Sequence, residues 1–543
     1  YYILLMENEG DKMKRNVLIK GMKIVVALVV VIAIGLGATK GGMFLYNKGM
    51  FIYESILNKI NDVNIQVKQI NNKTTNTAGE IKDSLSDKGV RIKINNELIN
   101  LDFKNDNSVV SVNTLVANSQ ATVNVGNLDG ITLKIDGKEV NSNEDTTIEI
   151  GKLSKDVKIR IEIVSNETGD FRNYYLQTLP ADFPTYTLDG QSNYDGDYLF
   201  NIGTYVAPFY IVQMNNQGEI VFYKRDTTKS FWLFQQHNID GKIRYSYFQA
   251  DPVDTPVVTG YHKGEVVVLD ENYNEIDRVK LLPYGDLTAG YKPEGHDFYM
   301  IDDGHYILSA YVNKLVDNIP SNLTTLGNST KVVASVLQEI KDGEVVWQWD
   351  STNDPKLYEL SLENNEFNDY TKWYDYAHLN SMEIDKNDNN IICSLRNLNA
   401  IVKLDRKTAE VIWILGGKGD EFGIKENQQF SRQHDANFLE DGRIVLFDNG
   451  SEVGKSRVLE FTIDEENKKI VNCEEFSVGN RFGMYMGSAQ KIDDENNVFL
   501  IGWGSADTDT AIFTEYDFKN DKILSELHLL DDSLASYRVT KTK

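Results

Sequence analysis

Gly343-Glu344-Val345-Val346-Trp347 and Ala409-Glu410-Val411-Ile412-Trp413 share one pattern: a small residue, a glutamate, then β-branched and aromatic side chains. Gly218-Glu219-Ile220-Val221-Phe222 and Asn274-Glu275-Ile276 carry it earlier in the chain, and Lys468-Lys469-Ile470 and Asp521-Lys522-Ile523-Leu524 carry weaker forms later. Most copies follow a strand-like run ending in an acid, as at Leu269-Asp270, Leu404-Asp405, Ile463-Asp464 and Tyr516-Asp517. The copies begin at 218, 274, 343, 409, 468 and 521, a period of about 61 residues. A β unit of that period, too long for an open β-solenoid, predicts one four-stranded sheet per copy. The expected architecture is all-β, with a six-bladed β-propeller over residues 179–543.

Upstream, residues 89–178 alternate apolar and polar with period two. Val157, Ile159, Ile161 and Ile163 fall on one face of a strand. Ile131–Ile135, Asp136-Gly137 and Lys138–Val140 read as a hairpin with a type I′ turn. Several short strands in this span predict a small β-sandwich domain. Residues 51–88 read as a short helical stalk and linker: Ile56, Ile60, Val63, Val67 and Ile70 form a brief apolar seam that leans toward a homodimer.

Residues 1–50 hold an uncharged run from Ile24 to Thr39, preceded by Lys12, Lys14, Arg15, Lys20 and Lys23. This predicts an N-terminal transmembrane helix with the cationic flank in the cytoplasm and the remainder outside the cell. A cleaved signal peptide leading to secretion or a periplasmic location is the competing reading.

The 543 residues carry 56 Lys and Arg against 81 Asp and Glu, a net charge of −25. That field repels phosphate backbones and argues against nucleic acid as a partner. At 41% hydrophobic and 10% aromatic residues the chain is no disordered polymer. Cys393 and Cys473 offer neither a disulfide framework nor a Cys-rich zinc site; they either pair or remain free thiols.

Three of the seven histidines share one place in the repeat. His296 and His434 each precede an Asp-Gly turn by seven residues, at Asp303-Gly304 and Asp441-Gly442. His378 opens the corresponding segment between them, and Gly487 takes the same position in a fourth. Equivalent positions in successive blades form a ring about the propeller axis, so these imidazoles are expected to converge. Asn380, two residues beyond His378, faces the same way if strand alternation holds, and Asp435 points away from His434. Arg396 ends the next strand of the His378 blade, a cation made informative by the acidic chain. His237, His262, His305 and His528 fall outside the register and read as structural or surface groups.

Three imidazoles can bind zinc, which suits a metal-dependent hydrolase. Alternatively, neutral imidazole, with a reference pKa of about 6.5, is a nucleophile near neutral pH, and neighbouring His, Asn and Arg donors suit transfer of an anionic group. A non-catalytic, ligand-binding surface propeller is the third possibility.

Asp375-Tyr-Ala-His378-Leu-Asn380-Ser381, Cys393-Ser-Leu-Arg396-Asn, Glu410-Val-Ile-Trp413-Ile-Leu-Gly416-Gly417, Gln433-His434-Asp-Ala436 and Leu446-Phe-Asp-Asn449-Gly450 resemble the bacterial arylsulfotransferases. Tyr174-Tyr-Leu-Gln-Thr-Leu-Pro180 resembles that family's junction between N-terminal β domain and propeller. The resemblance implies an enzyme independent of the nucleotide donor PAPS and requiring no cofactor or metal. It would carry a sulfuryl group from a phenolic sulfate ester to a phenol by a ping-pong route. His434 is similar to the family's nucleophile, which becomes N-sulfohistidine. By the same resemblance His378 and Arg396, with Asn380 as a substrate-binding neighbour, stabilise the sulfuryl oxygens. His296 resembles a further pocket histidine, and either it or His378 handles the proton.

Overall fold

The computed structural model describes residues 90–542 except 95–96, 102–106, 114–118, 126–129, 141–145, 154–157, 178, 181, 204–206, 253–259, 328, 507–510 and 532–533. The expected transmembrane helix, stalk and linker lie outside the described residues. Among those residues no helix is long and apolar enough to cross a membrane. Lys88–Asn95 and Asn100–Lys543 make up one compact unit; the other, Tyr1–Asp87 with Asn96–Ile99, is almost wholly undescribed.

Five free-standing four-stranded antiparallel sheets form propeller blades. The first joins Ile220–Asp226, Phe209–Met214, Tyr198–Ile202 and, from the far end of the chain, Val539–Lys541. The second runs through Phe231–Ile239, Lys242–Ala250, Gly264–Leu269 and Glu275–Val279, and the third through Phe298–Asp302, His305–Val316, Thr330–Lys341 and Glu344–Asp350. Leu379–Ile384, Ile391–Leu395, Ala400–Leu404 and Val411–Leu415 make the fourth; His434–Phe438, Ile444–Asp448, Arg457–Asp464 and Lys469–Phe476 make the fifth.

The count of six is corrected to five. Ser488–Asp493, Val498–Gly502, Phe513–Asp517 and Lys522–Leu529 do not stand alone but form one end of a ten-stranded sheet. The outer strand Lys522–Leu529 finds a partner on its open side in Tyr186–Gly190, which in turn pairs with Ser108–Asn113. A strand edge with unpaired N–H and C=O groups recruits whatever extended segment reaches it. The sheet continues through Phe171–Gln177, Lys158–Ser165 and the hairpin Ile131–Ile135/Lys138–Val140. Asp136 and Gly137 at its tip have φ of 47° and 74°, as a type I′ turn requires. Val90–Ile94, Ser119–Val125 and Thr146–Leu153 pair in a separate antiparallel sheet.

The first five repeat copies are outer strands of their sheets, and the sixth holds the equivalent place but is paired on both sides. Middle strands such as Ile391–Leu395 and Ala400–Leu404 are buried throughout because blades cover both of their faces, which yields continuous apolar runs. Outer strands have a wet face, and each presents one β-branched residue to solvent: Val221, Ile276, Val346, Ile412, Val471 and Ile523 are 38–66% exposed. Strand propensity, not burial, accounts for these residues. Cys393 and Cys473 are free thiols.

Between the fourth and fifth blades Lys403 is 1% exposed, its Nζ 2.7 Å from Asp385, 2.8 Å from Asp388 and 2.7 Å from Glu465. Asp385 and Asp388 follow the inner strand of one blade, and Glu465 belongs to the next. Lys403→Met is expected to lower the unfolding free energy by about 3–5 kcal/mol, because it strands carboxylates whose cation is gone. A urea titration with an unmoved midpoint would contradict this.

Candidate active site

The innermost strands of the fourth and fifth blades start irregularly, and that irregularity sets the site. His378 has φ 55° and a register shift lies between Leu379 and Ser381; Asp435 has φ 52°, with the shift between His434 and Asn437. Left-handed residues and bulges re-aim side chains at the cost of local strain. Simple alternation therefore does not govern where Asn380 and Asp435 lie.

His296, His378 and His434 converge. The His296 ring centroid is 5.0 Å from that of His378 and 6.2 Å from that of His434. All three are nearly closed to solvent, with exposures of 5%, 7% and 4%. Each Nδ1 has a different partner. His296 Nδ1 is 2.5 Å from Glu294 Oε2, and Glu294 is further held by the backbone N–H of His296 and the hydroxyl of Ser309. His378 Nδ1 is 2.5 Å from Asp375 Oδ2. His434 Nδ1 is 2.7 Å from the carbonyl oxygen of Gly487, the residue occupying the fourth register position.

A carbonyl only accepts, so His434 Nδ1 carries the hydrogen and its Nε2 presents a lone pair. Burial, then the Arg538 and His296 charges, hold this imidazole well below its ordinary pKa. It is neutral at pH 7. Burial also lowers His378, against the upward pull of Asp375.

Asn380 is fully buried, and its Nδ2 donates to the Gln433 carbonyl at 2.8 Å, just before His434. Arg396 donates its backbone N–H to the His378 carbonyl at 2.9 Å, while its Nη1 lies 3.0 Å from Glu363 and 2.8 Å from Asn397 Oδ1. Its charge acts on His378. Arg432 shares Glu363, at 3.2 Å.

The sequence reading passed over several neighbours. Tyr311 lies 5.4 Å from the His378 ring and 5.6 Å from that of His296. Tyr537 lies 5.2 Å from the His434 ring and donates its hydroxyl to the His296 carbonyl at 2.8 Å. Arg538 is buried beside it. Glu294 and Asp375 were legible in principle, since an acid stands two or three residues before each of the first two histidines. His262, expected outside the site, packs 4.6 Å from Trp232 and feels the His296 charge; burial first, then that charge, lower it to about 4. His237, His305 and His528 engage Ser246, Glu339 and Glu526 away from the ring, in structural roles. Among the described residues no group of three His, Cys, Asp or Glu side chains is arranged to hold a metal ion.

Gly487 has φ 94°, and a Cβ there would lie 2.5 Å from the Phe447 ring and 3.0 Å from the Gly502 carbonyl. Gly487→Ala strains the backbone beside the carbonyl that orients His434. Turnover is expected to fall by about 10- to 100-fold, the scale of an ångström-sized misplacement; a variant with wild-type kcat would show that the contact is dispensable.

The family model described as Arylsulfotransferase (ASST) matches residues 208–538. No curated protein matches the chain. Solved structures with similarity include a Bacteroides caccae protein of unknown function, at 12% identity and TM-score 0.37, covering 64% of this chain and 99% of that one. Another is a catalytically inactive virginiamycin B lyase from Staphylococcus aureus, at 9% identity and TM-score 0.31, covering 81% and 100%. A third is a putative 6-phosphogluconolactonase from Bacteroides uniformis, at 9% identity and TM-score 0.33, covering 71% and 95%.

Proposed function

The chain belongs to the arylsulfotransferase family, and we propose that it transfers a sulfuryl group from a phenolic sulfate ester to a phenol, without PAPS, in two displacements at His434. The observation that carries this reading is the tautomer of His434. Its Nδ1 donates to the Gly487 carbonyl, and its bare Nε2 belongs to a neutral, buried imidazole. That is an activated nucleophile needing no separate base.

In the first displacement the Nε2 lone pair attacks sulfur, an N–S bond forms, and the S–O bond to the aryl oxygen breaks. The departing phenoxide takes a proton from His296 Nε2, and Glu294 on the opposite ring nitrogen offsets the imidazolium charge before that transfer. In the second, the acceptor phenol gives its proton back to His296 as its oxygen attacks sulfur. The N–S pair of electrons returns to Nε2. His378 and Arg396 stabilise charge on the non-bridging oxygens, with Asn380 holding the segment that carries His434. The rings of Tyr311 and Tyr537 supply aromatic walls for the aryl groups. The preferred location is outside the cytoplasm, consistent with the cationic flank and apolar run before residue 50.

Brief exposure to an aryl sulfate with no acceptor should leave one sulfuryl group on the intact protein, and added phenol should remove it. Turnover with no adduct on that time scale would reject the two-step route.

A further inference from the structure

The last residues of the chain reach the centre of the site. Arg538 Nη1 lies 3.3 Å from Asp297 Oδ1 and 3.2 Å from Asp435 Oδ1, and its Nη2 donates to the Asn380 carbonyl at 2.5 Å. Asp297 follows His296, Asp435 follows His434, and Asn380 stands two residues after His378. One guanidinium thus holds two carboxylates and one backbone carbonyl, each within two residues of one of the three imidazoles. It does so from the segment leading into Val539–Lys541, the strand that closes the first blade and belongs to none of the three histidine blades. Each acceptor is fixed in turn. Asp297 Oδ2 accepts from the Met382 N–H at 2.8 Å, and Asp435 Oδ2 from the Ala489 N–H at 3.2 Å. Tyr537 adds its bond to the His296 carbonyl.

We propose that Arg538 is a positioning residue for sulfuryl transfer, one that makes the spacing of the three imidazoles depend on closure of the propeller by its C-terminal strand. This rests on the sulfotransferase reading for its consequence, but not for its geometry. The planar fork divides the contacts, Nη1 facing the two aspartates and Nη2 the Asn380 carbonyl; a lysine ammonium offers the charge from a single nitrogen.

The test compares Arg538→Gln and Arg538→Lys with the full-length wild-type chain. In Arg538→Gln, kcat for an aryl sulfate is expected to fall about 100-fold with a smaller change in KM. The acid limb of kcat/KM should move toward neutral pH, because a cation that keeps His434 neutral is lost. The other titratable groups around His434 are His296, His378 and Tyr537, with Asp297 and Asp435 bound to Arg538 and Glu294 behind His296. Glu383, pushed up by burial to about 8, adjoins the two aspartates. Arg538→Lys should keep the acid limb but not recover kcat. A folded Arg538→Gln with wild-type kcat and acid limb overturns the proposal. If that variant does not fold, wild-type kcat in Arg538→Lys does so. Histidine-labelled NMR without substrate reads the geometry independently: displaced His296, His378 and His434 ring signals in Arg538→Lys are expected, and three unmoved signals refute the role. Absence of sulfuryl transfer by the wild-type chain would instead sink the functional reading, leaving the NMR comparison to decide this one.

Discussion

His434→Ala is expected to reduce sulfuryl transfer by roughly 10⁴- to 10⁶-fold, the scale reached when a covalent nucleophile is removed, and to abolish the sulfuryl adduct. The fold should survive. The substitution deletes one hydrogen bond and leaves the Gly487 carbonyl without its imidazole donor, a cost of about 1–3 kcal/mol. The pH dependence of stability gives a second signature. His434 is held well below 6.5 in the folded protein, so as pH falls through 6.5 the unfolded chain takes up a proton that the folded site refuses. Stability drops with acidification until the folded pKa is reached. His434→Ala lacks this liability and should lose less stability between neutral and mildly acidic pH. Undiminished transfer in the alanine variant, measured with an aryl sulfate and a phenol, would remove His434 from the mechanism.

Glu294→Gln and Asp375→Asn should separate the roles of the two histidine–carboxylate pairs. Glu294 is 1% exposed and bound to His296 through both ring and backbone nitrogens. Its amide variant removes the charge that offsets the imidazolium. With a donor whose phenoxide leaves poorly, turnover is expected to fall about 10²- to 10⁴-fold. With a nitrophenyl sulfate, whose phenoxide departs without a proton, the first displacement should slow far less. On the proposed mechanism Asp375→Asn disturbs the histidine assigned to the sulfuryl oxygens whatever the donor, so both donors should suffer alike. The reverse pattern, steep leaving-group dependence in Asp375→Asn alone, would transfer the proton to His378. Single-turnover release of the phenol reads each case directly.

The repeat was legible because outer strands keep the same register against solvent in every blade. An acid, a turn residue and a β-branched side chain recur where one face stays wet. The histidine ring was legible for the same reason, since His296 and His434 stand at one offset from their turns and His378 opens the matching segment, and matching positions recur about an axis. Asn380 and Asp435 were harder, because bulges and left-handed residues at the strand starts break the period-two rule just where the chemistry sits. Tyr537 and Arg538 carried no repeat signal at all. They lie beyond the last copy, and they reach the site because the strand after them, Val539–Lys541, pairs with Tyr198–Ile202 near the other end of the propeller.

From the linear chain alone came the all-β class, the propeller period, the family motifs and the identity of three converging histidines, because these depend on local patterns that copies repeat. Folding alone decided which nitrogen of His434 is bare, which acids stand behind its neighbours, and that the last outer strand would join a larger sheet. Those outcomes depend on hydrogen bonds between segments far apart in sequence, whose partners meet only after the ring has closed.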